Sequence, residues 1–148
     1  VKLTLQNLPD GPGVAANIFG ALSAAAIVVD VIVQDVPTAG KLTVSFTVGK
    51  GDHLKAREVL DSLRTSGTQF AEMRIVETPD LAKISIVGVG MQHHPGVASR
   101  MFALLAEAGI SIQLITTSEI KVSCLIAGPE MKRAVECLHR GFELHKLQ

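Results

Sequence analysis

Two tandem copies of one βαββαβ unit, an α+β fold with antiparallel sheets and both helices of a unit on one face, are what this sequence of 148 residues predicts. Three observations carry that expectation: an internal repeat, short β-branched runs that alternate apolar with polar, and a composition rich in small aliphatics. PGVA occurs at residues 12–15 and again at 95–98, 83 positions later. The same offset aligns Phe19 with Phe102, Leu22 with Leu105, Ala25 with Ala108 and Ile27 with Ile110. A second block aligns at offset 78: Val44-Ser45 with Val122-Ser123, Ala56 with Ala134, Glu58 with Glu136 and Leu60 with Leu138. Two blocks in one order, separated by a small deletion, mark a duplication. Hydrophobic residues make up 47% of the chain and aromatics only 3%, which suits strands covered closely by small-faced helices.

The first copy opens with residues 2–7, alternating as a half-buried strand does, and continues into the turn-rich LPDGPG. A helix over 13–25 follows, because Val14, Ile18, Ala21, Leu22 and Ala25 form an i, i+3/i+4, i+7 stripe. Residues 28–36 and 42–48 are strands joined by a turn at 37–40. The helix over 52–64 takes Asp52 as its N-cap and buries Leu54, Val59, Leu60 and Leu63. A strand at 70–76 completes the unit, and Thr78-Pro79-Asp80 links it to the next. The second copy runs strand 83–88, helix 95–108, strands 111–116 and 120–126, and helix 130–140. Only 143–148 remain for its fourth strand, which is therefore short or supplied by upstream sequence. The expected domains are 1–78 and 81–148. This element order gives a four-stranded antiparallel sheet, the ferredoxin-like plan, which hosts many functions and decides none.

Fourteen basic residues balance fourteen acidic ones, so no long-range field recruits nucleic acid or an anionic membrane. Cys124 and Cys137 make no disulfide framework and suit a reducing cytoplasm, where both read as small core residues. Residues 13–29 form a run of seventeen without charge, close to the length of a membrane span. Pro12-Gly13 opens that run, Asn17 and Ser23 interrupt it, and Asp30 stands in its apolar continuation, so it reads as a buried helix and then a buried strand. No basic segment precedes it as a secretory signal requires, and the chain starts with Val inside a strand pattern, as a piece of a longer chain does.

Chemistry can sit at few places. Before the first helix of each copy stand Asp10-Gly11-Pro12-Gly13 and His93-His94-Pro95-Gly96. Pro at a helix start lacks a donor that would be orphaned there, and Gly admits close approach. The amides of Gly13, Val14 and Ala15, at the positive end of the helix dipole, can receive a carboxylate. Asp10 can then hold an ammonium or a hydroxyl, groups that an α-amino acid carries together; a capped helix behind a tight turn fits the same residues. Gln34 closes one apolar strand, and the stretch from Gln113 to Glu119 does so in the second copy. These polar residues either line a pocket at a sheet edge or are solvated strand ends. His93 and His94 have no Cys, Asp or Glu at ligand spacing, and His139 lies on another helical face from Cys137, so no metal is expected. GKGD at 49–52 is not a phosphate loop, no G-x-S-x-G occurs, and no C-x-x-C occupies the first strand–helix loop. Phe46 is the only aromatic in the central strands, so neither catalysis nor base stacking finds its residues here.

LPDGPGVAANIF, VIVQDV, KISIVGVGMQHHPGVASRMF and IQLITTSEIKVSCLI resemble the paired ACT domains at the C-terminal end of aspartate kinases, over nearly the whole chain. The resemblance implies a non-catalytic regulatory region or a separate regulatory subunit. In it, L-lysine and/or L-threonine bind as allosteric effectors and feed back on ATP-dependent aspartate phosphorylation in lysine, threonine and methionine biosynthesis. It implies no cofactor in this segment, with ATP and Mg used by the parent enzyme, and a cytoplasmic location. The implied partners are a second copy of the chain, through its ACT units, and the kinase catalytic domain or subunit. Onto the effector loop the resemblance maps Asp10, Gly13, Val14 and Ala15, with Gln34 as the glutamine whose amide meets the amino acid. In the second copy it maps His94, Gly96, Val97 and Ala98 with Ile112 and Gln113, while Ser118 and Glu119 fall in a segment tied to feedback control. Ala98 stands where some relatives have Thr, so that hydroxyl contact is absent. The family usually seats copy one of one chain beside copy two of another, and supplies part of the second sheet from upstream sequence. An ACT pair from another amino-acid enzyme, or a purely structural dimerisation module, is compatible with the same residues.

Overall fold

The structure, a computed structural model, describes residues 1–67, 69–87, 96–118 and 120–142. Its contacts divide the chain into two units, Val1–Pro79 and Asp80–Gln148. In the first, β1 (Lys2–Pro9), α1 (Val14–Ala24), β2 (Val29–Gln34), β3 (Lys41–Val48), α2 (His53–Thr65) and β4 (Arg74–Thr78) follow in sequence. The strands form an antiparallel sheet in the order β2-β3-β1-β4. Leu3 and Leu5 on β1 and Leu42, Val44, Phe46 and Val48 on β3 are buried, while the residues between them are not, so one face of the sheet is dry. Val14, Ile18 and Leu22 of α1 and Ala56 and Leu60 of α2 join them in one cluster, which puts both helices on that face. Phe19 meets Phe46 edge-on, with 5.4 Å between ring centroids. On the opposite face the hydroxyls of Thr4 and Ser45 hydrogen-bond at 3.1 Å. The β2–β3 hairpin closes through Ala39 and Gly40, both at positive φ (54° and 76°) as a two-residue type I′ turn demands. Thr38 and Lys41 exchange backbone hydrogen bonds of 2.8 and 3.0 Å across it.

The second unit repeats the plan with β5 (Leu81–Val87), α3 (Val97–Glu107), β6 (Leu114–Thr117), β7 (Lys121–Ala127), a short 3₁₀ turn at Gly128–Glu130 and α4 (Met131–Gly141). The described strands lie in the order β5-β7-β6. Met101 and Leu105 of α3 and Ala134 and Leu138 of α4 cover Ile84, Val122, Cys124 and Ile126. The hydroxyl pair recurs, with Ser85 and Ser123 at 2.6 Å. The C-terminal cap of the first helix recurs too: Ala26 N–H donates to Ser23 O and Ile27 N–H to Leu22 O, as Gly109 N–H does to Ala106 O and Ile110 N–H to Leu105 O. The left-handed residue is Ala26 (φ 60°) in one copy and Gly109 (φ 72°) in the other.

Packing corrects four expectations. The strand placed at 70–76 is β4, later and shorter, because Phe70 and Met73 both enter the core from a turn closed by Met73 N–H to Phe70 O at 3.1 Å. Leu54 is 69% exposed: it lies about 200° around the helix from Ala56, which takes the buried position instead. Asp52 stands at the cap position of α2, but its carboxylate makes no capping bond. The strand placed at 28–36 narrows to Val29–Gln34, and its repeat placed at 111–116 shortens to Leu114–Thr117. Residues 143–148, the candidate short fourth strand of the second unit, lie outside the described residues. Among those described, the outer edge of β5 has no partner, whereas β4 pairs with the matching edge of β1. Ile84, Ile86 and Val87 of β5 and Val135 of α4 there border an open groove of 200 Å³. Among the described residues no helix is long and apolar enough to cross a membrane.

Two outcomes follow from this packing. Ala26→Gly should raise the stability of the chain by about 1 kcal/mol and Gly109→Ala should lower it by a similar amount, because only glycine occupies the left-handed cap without crowding its Cβ; urea denaturation measures both. Burial pushes the Cys124 thiol up to about 11. At pH 8 only about one molecule in a thousand then carries the thiolate, so iodoacetamide should label Cys124 only after unfolding, as peptide mass mapping would report.

Candidate functional site

β1 and β2 both pair antiparallel with β3, so they run parallel and end together. That places the loop after β1 and the end of β2 at one end of the sheet, with Asp10 and Gln34 on either side of β3, both exposed. The loop is held by Asp10 N–H donating to Gly40 O at 3.1 Å. α1 starts from Gly13 with no side-chain cap and no acidic residue in its first turn. Its amides are thus uncovered by side chains, as an anion acceptor needs. Of the three amides the sequence nominates, that of Val14 is engaged by Gly11 O at 3.4 Å and its side chain is core, which leaves those of Gly13 and Ala15.

In the second unit, Gly96 opens α3 in the same way, without a side-chain cap. Val97 and Ala98 follow it, half-buried. His94 and Glu119 lie outside the described residues. Ser118 closes the end of β6, its N–H donating to Lys121 O at 2.7 Å, as Asp35 N–H donates to Thr43 O at 3.1 Å in the first unit. Asp35 is held again there by its carboxylate, which accepts from Thr43 N–H at 2.7 Å. Ile112 and Gln113 are not brought to this end: they precede β6, a strand length of about 13 Å away. Gln113 is pinned there by its N–H to Leu125 O at 2.7 Å.

Register also shows which residues correspond. Gln34 faces Val44 and Thr117 faces Val122, the repeat of Val44, so Thr117 is the counterpart of Gln34. The 83-residue offset matches Gln113 with Asp30, although register, across the slip in β2, sets Leu114 opposite the repeat of Asp30's partner Thr47. Thr117 lies inside the stretch from Gln113 to Glu119 that the sequence nominates, whereas Asp30 was passed over, although the 83-residue offset would have found it.

Among the described residues β2 and β6 are edge strands. Ile32 and its counterpart Ile115, 52% and 45% exposed, sit at matching points on these edges. They face Phe46 and Cys124, so both lie on the helix side of their sheets. Val28 and Val36, at the two ends of β2, are also exposed. The pairing of β2 slips between Asp30 and Ile32, and the intervening Val31 has φ 37°, a conformation that crowds a β-branched side chain. Among the described residues no three His, Cys, Asp or Glu side chains gather as metal ligands do.

The ACT domain family model matches residues 84–142. The aspartokinase of Pseudomonas aeruginosa is 49% identical over 143 residues, covering 97% of this chain and 34% of the relative. The chain thus spans about a third of the length of the curated relatives it matches. The ligand-free regulatory subunit of aspartate kinase from Thermus thermophilus superposes with a TM-score of 0.83 at 36% identity, over 95% of this chain and 91% of that one. A solved structure of aspartokinase alpha and beta subunits gives 0.84 at 41% identity, over 96% and 91%. Two ferredoxin-like units with open edge strands and uncapped first helices make a tandem ACT regulatory module. The chain belongs to the regulatory family of the aspartate kinases.

The edge strand invites a paired measurement. Val31→Gly should leave stability unchanged or raise it, since glycine relieves the left-handed position, whereas Val33→Gly should cost about 1 kcal/mol in the regular part of β2. Equal losses from both, in thermal or urea unfolding, would remove the strain from the account of this edge.

Proposed function

We propose that this chain is the effector-sensing region of a cytoplasmic aspartate kinase and binds lysine and/or threonine at seams between ACT units of a dimer. In this reading the parent enzyme phosphorylates aspartate with ATP and Mg, and the ACT pair, joined to its catalytic domain or subunit, holds it in an inhibited state when end products accumulate.

The observation that carries the reading is the division of the candidate residues between the two ends of an open edge strand. Asp10, Gly13, Ala15 and Gln34 lie where β2 ends; Ile112 and Gln113 lie where β6 begins. Antiparallel joining of β2 from one chain to β6 of another sets the end of one strand against the start of the other. Each end of such a seam then combines a helix start from one unit with a strand start from its neighbour. Ile32 and Ile115 give the seam an apolar centre. The effector carboxylate sits on the amides of Gly13 and Ala15, or of Gly96 and Ala98, while its ammonium or hydroxyl meets Asp10 and Gln34.

An effector moves the kinase equilibrium only by its difference in affinity for the two states, typically about 1–3 kcal/mol. A switch from 1:99 to 99:1 needs about 5.5 kcal/mol, so two effectors acting together, or several seams in one assembly, achieve what one site does not.

Calorimetric titration with threonine and lysine, alone and together, tests the reading. Binding is expected, and Asp10→Ala should weaken it by about tenfold, one charge-assisted contact, with the circular dichroism unchanged. No heat from either amino acid, with a dimer that forms regardless, would leave a structural dimerisation module in its place.

A further inference from the structure

A pocket in the first unit is not accounted for by the seam. It lies between the loop after β1, the start of β3 and the turn before β4, with a volume of 410 Å³. Asn7, Asp10, Lys41, Gln69 and Glu72 supply its polar lining, and Val14 supplies part of its apolar wall. Gln34 does not line it. Asn17 on α1 donates through Nδ2 to Gln69 Oε1 at 3.1 Å, which leaves the Gln69 amide nitrogen as a further donor. Asn7 is left-handed (φ 58°) where the pairing of β1 slips between Leu5 and Leu8. Such a bulge re-aims a side chain that a regular strand would commit to one face.

Across the pocket, Lys41 Nζ donates to Glu72 Oε2 at 2.9 Å. That hydrogen bond and the lysine charge hold the Glu72 carboxyl below its ordinary range, so it is ionised at neutral pH. The two side chains are 46% and 74% exposed, and a pair so hydrated contributes little and exchanges readily for other partners. The lining therefore presents two carboxylates, Asp10 and Glu72, and one ammonium, Lys41. Its complement is a small molecule with one carboxylate and two ammonium groups. The second unit does not carry the set: the repeat places His93 opposite Asp10 and Glu119 opposite Lys41.

We propose that this pocket is a second binding site, internal to the first unit, for a basic α-amino acid that separates Lys41 from Glu72. The ligand carboxylate takes Lys41, and its two ammonium groups take Asp10 and Glu72. The backbone of the diamino acid spans the pocket where the internal ion pair stood. This goes beyond the seam reading and rests on different residues, Asp10 apart.

Calorimetric titration of the full chain with lysine, norleucine and cadaverine tests it. Norleucine lacks the side-chain ammonium and cadaverine lacks the carboxylate, so both should bind at least about tenfold more weakly than lysine. Lys41→Ala and Glu72→Gln, both at the surface, should each weaken lysine by about tenfold with folding intact by circular dichroism. Lysine affinity unchanged in both pocket variants, equal binding of norleucine, or no binding of lysine to the unaltered chain would each overturn the proposal. Failure of the seam appears elsewhere, as threonine binding indifferent to Gln34→Ala.

Discussion

Leu3 and Leu5 on one strand and Val44, Phe46 and Val48 on the next must all leave water on the same side of a sheet, and two helices are what cover them. From that burial the rest of each unit follows. With both helices on one face, strand order places β1 and β3 centrally and leaves β2 at an edge. Parallel β1 and β2 then end together, and the helix that follows β1 begins at that end without a side-chain cap. The candidate site is thus a by-product of core packing: an open edge, an uncapped helix and a polar strand end meet because the apolar face has to be closed.

Duplication preserved more than the core. The hydroxyl pair on the outer face, the C-terminal cap of the first helix and the backbone bond that closes the second strand all recur in the second unit. Each satisfies backbone or side-chain polar groups that would be costly to leave unpaired. The copies diverge where no such demand applies. The residues before the first helix change from Asp10-Gly11 to His93-His94, the second hairpin is shorter, and Lys41 of the charged pocket gives way to Glu119. One architecture therefore carries two chemically different helix starts.

Contacts between the first helix and the segment beyond the second also recur with new chemistry. Asn17 reaches Gln69, while Arg100, its counterpart, donates to Gly141 O at 3.1 Å through Nε and lies over the Phe142 ring. A cation at the carbonyl end of α4 complements that helix dipole, so the bridge in the second unit also serves as a cap. In both units the helix that opens at the candidate site is tied at its flank to the end of the second helix or the turn beyond it.

The duplication, the element order and most core positions were legible in the chain itself, because side-chain periods of two and of 3.6 residues are imposed locally by the backbone. The helix starts and the polar strand ends were legible for the same reason, each being a local break in an apolar pattern. What the fold alone decided is where those pieces meet. Leu54 fits a buried helical stripe in sequence yet faces water, since the position that Ala56 takes against the sheet excludes it. Gln34 and Gln113 look like equivalent strand residues, but β-sheet register makes Thr117 the counterpart of Gln34 and sends Gln113 to the far end of its strand. The convergence of Asp10, Lys41 and Glu72, which are tens of residues apart, depends on which strands are neighbours. Strand order is set by long-range burial, and no local pattern encodes it.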